Sequence, residues 1–330
     1  MIHRLLELYG KTVRVTDPDR RIASETGPTK TELVEYYVKV APRLLPFLRG
    51  RPVSTVWLPD HSTQEFRFAR SAPAACLGRF PICRLVGLDR SREERYLSVP
   101  DAETLAGLIN HGCLSFHPWS STASAPMRAD RVVFNLDPER IAFREVRNAA
   151  LLLRDLLAAC GLMAWVKTSG GQGLHVIVPV NGSLSYADVR LIAETIVTRA
   201  IRRDPTLFSR QVRPARRRGR ILIDISRNDY GTTIIAPYAV ATSGLVSALV
   251  EWDELQRPLY PEDLDMARVI ARQDSDLNNQ RSFFAVEQSV DPLLRAKRAC
   301  CRAGNTERGV NKEWLLGDAP DALWAQTQTL

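Results

Sequence analysis

VVFNLDPER, residues 132–140, reads as a buried strand that runs straight into a turn. Val132, Val133 and Phe134 supply the apolar run, and Pro138 closes it. Asn135 and Asp137 are two residues apart, so on a strand their side chains share a face. Two carboxylates placed that way are a common device for holding catalytic metal ions. Here the first of the pair is an amide. The stretch is either a metal site with one ligand altered or a strand end whose lone Asp serves a turn.

Two further stretches bear on that choice. KTSGGQGLHVIVPV, residues 167–180, places a Ser-Gly-Gly loop between two strands, with His175 at the start of the second. It is not a Walker A loop, because no Gly-Lys-Ser/Thr follows. Taken alone, a Gly-rich loop is a turn and a single histidine belongs to a core. RRRGRILIDISRN, residues 216–228, sets Asp224 between Ile223 and Ile225. A carboxylate in such a strand must leave the core or find a partner, because burying it alone costs several kcal/mol or shifts its pKa. A metal ion is one such partner. Together the three stretches have one chemical sense. Two strand ends carry oxygen ligands for divalent metals, a Ser/Gly loop offers N–H groups to phosphates, and a histidine with nearby arginines neutralises the rest. That is a layout for two-metal phosphoryl transfer to a 3′-hydroxyl.

The surrounding pattern alternates strands and helices. Thr29 with Glu32 three residues on is a capping box, which predicts a helix through TKTELVEYYVKVAPRLLPFL. Residues 101–112 and 143–160 have helical spacing, Gly161 stops the latter, and Ser185 with Asp188 starts a helix that runs to about Arg203. Strands are predicted at 131–136, 163–167, 174–180, 220–226 and 232–240, the last two as an antiparallel hairpin about SRNDYG. The order implies an α+β fold with a mixed or antiparallel sheet, not a doubly wound parallel one. The organisation expected is a catalytic domain over residues 1–298 and a weakly packed extension over 299–330.

The chain has 330 residues, a net charge of +8 and a pI near 9.4, which favours a polyanionic partner, nucleic acid before a membrane surface. No apolar stretch is long enough to span a bilayer, and MIHRLLELYGKTVRV has no signal-peptide architecture. The six cysteines form no CxxC pair, so they read as reduced thiols of a cytoplasmic, nucleoid-associated protein without zinc. The bland alternative is a basic globular protein of unrelated function.

APRLLPFLRGRP, CLSFHPW, FNLDP, VKTSGGQGLHVIVPV, RGRILID, TTIIAPYAV and EWDEL occur in that order, and they resemble the polymerase domain of bacterial DNA ligase D in the archaeo-eukaryotic primase superfamily. The likeness spans roughly residues 5–295 and excludes the unrelated alternative. It implies a core of antiparallel sheets with flanking helices. It also implies templated or untemplated addition of nucleotides, preferentially ribonucleotides, at DNA ends, with Mn²⁺ or Mg²⁺. The metal ligands it implies are Asn135, Asp137 and Asp224. The nucleotide-binding residues are His117, Lys167, Ser169, Gly171, Gly173, His175, Arg217 and Arg220. Arg20 and Lys30 fall where the family grips the 5′-phosphate of a gap or end, and Phe68 and Arg70 fall in its template-contacting segment. The implied partners are DNA ends with a 5′-phosphate, NTP or dNTP, a Ku-like protein and a DNA ligase. No ligase or nuclease motif accompanies these segments, which is the pattern of a free-standing polymerase-like chain.

Three departures bear on activity. Asn135 stands where the family has its first metal-binding Asp. Ala241 and Ser243 stand where arginines follow the APY segment, and Trp57 stands at a further family arginine. All fall on metal or triphosphate handling, while the 5′-phosphate positions keep their charge. Two functions follow: a primase-polymerase of non-homologous end joining, or a degenerate relative that binds DNA ends without efficient synthesis.

Overall fold

The computed structural model describes residues 3–8, 11–21, 27–58, 65–88 and 91–295; the extension expected beyond 298 lies outside the described residues. A hairpin of β1 (His3–Leu8) and β2 (Lys11–Thr16) leads into α1 (Lys30–Leu48). The capping box is formed: the Thr29 hydroxyl accepts from the Glu32 amide, and the Glu32 carboxylate accepts from the Thr29 amide at 2.7 Å. The same two bonds hold the Glu32 carboxyl below its usual range. Leu33, Val34, Tyr37, Val40, Leu44 and Leu48 bury one stripe of α1 in the core.

After α1 come β3 (Val53–Trp57), β4 (Arg67–Ala69), β5 (Ile82–Val86), β6 (Glu93–Leu97), α2 (Ala102–Asn110) and β7 (Cys113–Pro118). Their strands make a five-stranded sheet ordered β4-β3-β6-β5, with β7 also paired to β3. The second half supplies β8 (Arg128–Asp137), α3 (Phe143–Ala158), β9 (Trp165–Thr168), β10 (Leu174–Ser185), α4 (Tyr186–Arg203), β11 (Phe208–Ser209), β12 (Ile221–Asp224) and β13 (Leu249–Val250). Three short helices follow: α5 (Trp252–Gln256), α6 (Met266–Ala271) and α7 (Gln273–Ala285). The second sheet runs β11-β12-β8-β10-β9-β13 and is antiparallel except for the β11–β12 pair. This is the mixed α+β architecture that the sequence predicts. Arg51, ahead of β3, ties the sheets together by pairing with Asp130 of β8 and donating to the Trp119 carbonyl at 3.2 Å. Among the described residues, no helix is long and apolar enough to cross a membrane.

The hairpin expected from 220–226 and 232–240 does not form. β12 ends at Asp224, and the later segment leaves its sheet to meet the other one. Thr233 bridges Trp119, and the Ala236 amide donates to the Phe116 carbonyl at 2.8 Å. The Tyr238 amide donates to Ser247, and the Val240 amide donates to the Tyr37 hydroxyl at 2.9 Å. Buried backbone groups must be paired, and here distant partners do it better than a neighbouring strand. Tyr238 takes φ of +69° on the way, which breaks the extended run.

Candidate functional site

β8 is the middle of the second sheet, and its register builds the site. Asn135 lies directly opposite His175 on β10 and opposite Asp224 on β12, while His175 lies opposite Lys167 on β9. Directly opposite residues of an antiparallel pair share a face. Lys167, His175, Asn135 and Asp224 therefore form one row across four strands, and Asp137 stands two residues further along β8 on the same face.

This face and the first sheet enclose a cleft of about 600 Å³. Asn135, Asp137, Ser169, Gly173 and His175 line it from one side, Phe68, Ser115 and His117 from the other. Six of the residues named from the sequence thus meet: Asn135, Asp137, Ser169, Gly173, His175 and His117, with Phe68 from the template-contacting set as a seventh. Asp224 lies along a neighbouring groove with Arg190, Glu194 and Arg210. Its Oδ1 accepts from the Ser226 amide at 2.8 Å, so a local turn supplies the partner that its apolar frame demands.

The SGGQG loop is a tight connection between β9 and β10. The Ser169 amide donates to the Gly173 carbonyl at 3.0 Å, and the Gly173 amide donates back to the Ser169 hydroxyl at 3.2 Å. Gly170 has φ of +78°, and a Cβ there would sit 2.5 Å from the Cβ of Ala241. A Cβ on Gly173 would sit 2.8 Å from the Leu136 carbonyl oxygen. Ser243 donates its hydroxyl to the Gly170 carbonyl. Ala241 and Ser243 therefore brace the loop from behind, and Ala241 also lines the cleft.

Lys167 is fully buried and donates to the Ser247 hydroxyl at 2.6 Å and the Thr168 carbonyl at 3.3 Å, so its amine is spent beneath the site. Burial pushes its pKa well down. Burial also depresses both cleft histidines, aided by the charges of Lys167 and Arg227: His117 is pushed down to about 3 and His175 well below the usual range. Both imidazoles are neutral at pH 7.

Arg217 is buried, and each of its three guanidinium nitrogens is engaged. Its Nη1 is 3.0 Å from the Asp137 carboxylate and 3.2 Å from the Asp137 carbonyl; Nε and Nη2 serve the carbonyls of Gln211 and Val212. Arg220 donates to the Arg217 and Pro205 carbonyls. Both arginines are thus bonded to the protein around the site. Gly171 belongs to the loop.

The sequence reading missed Arg227, Gln172, Thr233 and Ser115, all of which line the cleft. Arg227 lies in the stretch read as a hairpin turn, and Ser115 precedes His117 by two residues on β7. That spacing puts Ser115 and His117 on one face and was the available signal.

A second cluster surrounds Lys30. Its Nζ donates to the Thr16 hydroxyl at 3.0 Å, and Thr16 is fixed in turn by Asn110. The Lys30 amide donates to the Arg20 carbonyl at 2.8 Å, so the structure brings these two residues together at the N-terminus of α1. Burial lowers the Lys30 pKa, against the pull of Asp17. Phe68 and Arg70 are exposed on and just after the edge strand β4, and the Phe68 ring meets the His117 ring edge-on at 5.6 Å.

Asn135, Asp137 and Asp224 offer oxygen donors, the kind that suits Mg²⁺ or Mn²⁺. As arranged they do not fit a pair of divalent cations. One of the two carboxylates is already paired with Arg217, the second accepts from the Ser226 amide and borders the neighbouring groove, and the third donor carries no charge. Among the described residues, no group of three or more His, Cys, Asp or Glu side chains is placed to hold a metal ion.

A mainly antiparallel sheet thus carries a polar row beside a Ser/Gly loop and is faced by a second sheet, a layout suited to a nucleotide-handling α+β domain. The family model for the LigD primase-polymerase domain matches residues 29–279, and the chain belongs to that family. It is 33% identical over 301 residues to the multifunctional non-homologous end joining protein LigD of Pseudomonas aeruginosa, covering 90% of this chain and 33% of that protein. It is 30% identical to the LigD of Mycobacterium tuberculosis, over 87% of this chain and 39% of the relative. The chain thus spans about a third of the length of these relatives. The solved polymerase domain from Mycobacterium tuberculosis ligase D, in complex with DNA, superposes with a TM-score of 0.74 at 28% identity, covering 83% of this chain and 99% of that one.

Proposed function

We propose that this protein adds nucleotides, preferentially ribonucleotides, to DNA ends or gaps in bacterial non-homologous end joining, and that its metal-dependent chemistry is weakened. The observation that carries this reading is the cleft where Asn135, Asp137, Ser169, Gly173, His175 and His117 meet. The reaction joins a DNA 3′-hydroxyl to the α-phosphorus of a nucleoside triphosphate and releases pyrophosphate. In this cleft the loop amides of 170–172 and the Arg227 guanidinium face the phosphates. The neutral imidazoles of His117 and His175 exchange hydrogen bonds with the substrate, and the exposed Phe68 ring offers a stacking surface to a base. Arg20 and Lys30 hold a 5′-phosphate where the α1 dipole adds to their charge. In this reading a Ku-like protein holds the ends before such a step and a DNA ligase seals the nick after it.

In this family the metal would be Mn²⁺ or Mg²⁺, which draws charge from the phosphates. The ligand set here supports it poorly, so synthesis is slow. The Arg217–Asp137 pair favours a second reading, end binding without efficient synthesis. Primer extension with Mn²⁺ separates the two. Weak extension that rises in Asn135→Asp supports the first. Tight end binding with no extension by either protein supports the second.

A further inference from the structure

At the Trp165 end of β9, away from the Ser/Gly loop, lies a second pocket of about 570 Å³. None of its lining residues belongs to the cleft. Trp165 and Trp252 wall it, with Leu162 and Val250 beside them and α7 along one side. Asn279 of α7 lines it and is 6% exposed. Among the described residues its side-chain amide has no hydrogen-bond partner, yet neither amide atom is sealed from the pocket space. Buried polar groups are almost always paired. An amide left open to a pocket in this way calls for a partner from outside the chain.

The other polar groups of the lining narrow the chemistry. Trp165 donates its indole N–H to the Ser282 hydroxyl at 3.2 Å, Ser282 donates to the Asn279 main-chain carbonyl at 2.8 Å, and Trp252 donates to the Ala164 carbonyl at 2.8 Å. The charged lining residues, Arg154 and Glu251, have opposite signs, and the Arg154 guanidinium lies 5.6 Å from the centre of the Trp252 ring. The pocket therefore offers no net charge to a phosphate or a carboxylate. What remains is the amide, a donor beside an acceptor, between indole walls. A partner that sets an acceptor beside a donor on one edge, as adenine does, satisfies both. An indole or phenol side chain presents a single polar group and leaves half of the amide unmatched. Indole walls favour a flat ring over a flexible chain.

We propose that this pocket binds a neutral nucleobase, from a free nucleoside or from an unpaired base of single-stranded DNA, with the Asn279 amide reading its edge between Trp165 and Trp252. The site is separate from the cleft and does not depend on how the cleft is used. While the pocket is empty the amide stays unpaired, so the free protein gains nothing in stability from Asn279.

The test is photolabelling of the full chain by 8-azidoadenosine, mapped by peptide mass spectrometry, beside its Asn279→Leu and Ala158→Leu variants. Ala158 is an exposed helical position on the pocket lining, so its change narrows the pocket without touching the core. Labelling is expected in peptides from 158–165, 250–256 or 279–283. Each variant should raise the concentration for half-maximal labelling of these peptides by at least about fivefold. Asn279→Leu should not lower the thermal midpoint of the free protein, because no bond within the protein is lost. Whether adenosine or a short single-stranded oligodeoxyadenosine displaces the label better tells which source supplies the base. Labelling confined to cleft peptides, no labelling, displacement by neither competitor, or pocket labelling that neither variant changes overturns the proposal. A lowered thermal midpoint in Asn279→Leu overturns it too, since the amide would then already have its partner.

Discussion

Replacing Asn135 by Asp puts a carboxylate directly opposite Asp224 and two residues from Asp137 on the same face. A like-charge pair across strands is destabilising by about 0.2–1 kcal/mol. Asp224 is the one such neighbour; Asp137, on the same strand, adds little because Arg217 already compensates it and its side chain is 47% exposed, so the cost stays at about 0.2–1 kcal/mol. The midpoint of thermal unfolding in EDTA should fall by about 1–4 °C. Mn²⁺ should reverse this, since an ion at a hundred times its dissociation constant contributes about 2.7 kcal/mol. The intact protein should respond far less to the same titration. Scanning fluorimetry across a MnCl₂ series reads both effects without any turnover. Primer extension should rise in the variant, but only in part, because the arginines replaced by Ala241 and Ser243 are still missing. A single electrostatic contact to a transition state is commonly worth about 2.7–4 kcal/mol. Adding Ala241→Arg, at a position that lines the cleft, should therefore recover more. A variant as stable as the parent in EDTA and no more responsive to Mn²⁺ would refute the view that residue 135 limits the cation site. Robust Mn²⁺-dependent extension by the unmodified chain would do so equally.

Removing Arg20 and Lys30 together should abolish any preference for a 5′-phosphorylated recessed end over a hydroxyl end in fluorescence anisotropy, each contact being worth about 1.5–3 kcal/mol; an unchanged preference would place the pocket elsewhere. In that assay the phosphate preference should fade as pH rises through the lowered Lys30 pKa, earlier than for an ordinary lysine. Arg217→Gln should destabilise the protein by about 1–3 kcal/mol in urea titrations, because three carbonyls and a carboxylate lose their donor; unaltered stability would mean that the pair carries no weight. His117 is held neutral in the folded chain and titrates near 6.5 when unfolded, so the unfolded state takes up the proton first. Stability should be fully present above about pH 6.5 and should fall as pH drops towards 3, and His117→Gln should flatten that fall.

Local chemistry wrote several elements directly into the sequence. The Thr29–Glu32 box, the apolar stripe of α1 and Gly161, with φ of +71°, after α3 each fix a boundary through contacts a few residues long. The same-face spacing of Asn135 and Asp137 likewise needs nothing but a strand. The 232–240 segment was illegible for the opposite reason: its backbone partners are Tyr37, Phe116, Trp119 and Ser247, which no turn signal announces.

By itself, then, the sequence determined the alternation of helices and strands, the loop glycines and the kinship with the primase-polymerase family, because these depend on periodicity and on motifs read in order. Tertiary structure alone decided who stands beside whom. Strand register set Asn135 opposite both His175 and Asp224, and the fold brought Arg217 onto Asp137 across eighty positions of chain. It also turned Ser115 and Arg227 into cleft residues. The physical reason is that charge compensation and the pairing of buried polar groups act through space, and separation along the chain places no limit on which residues they join.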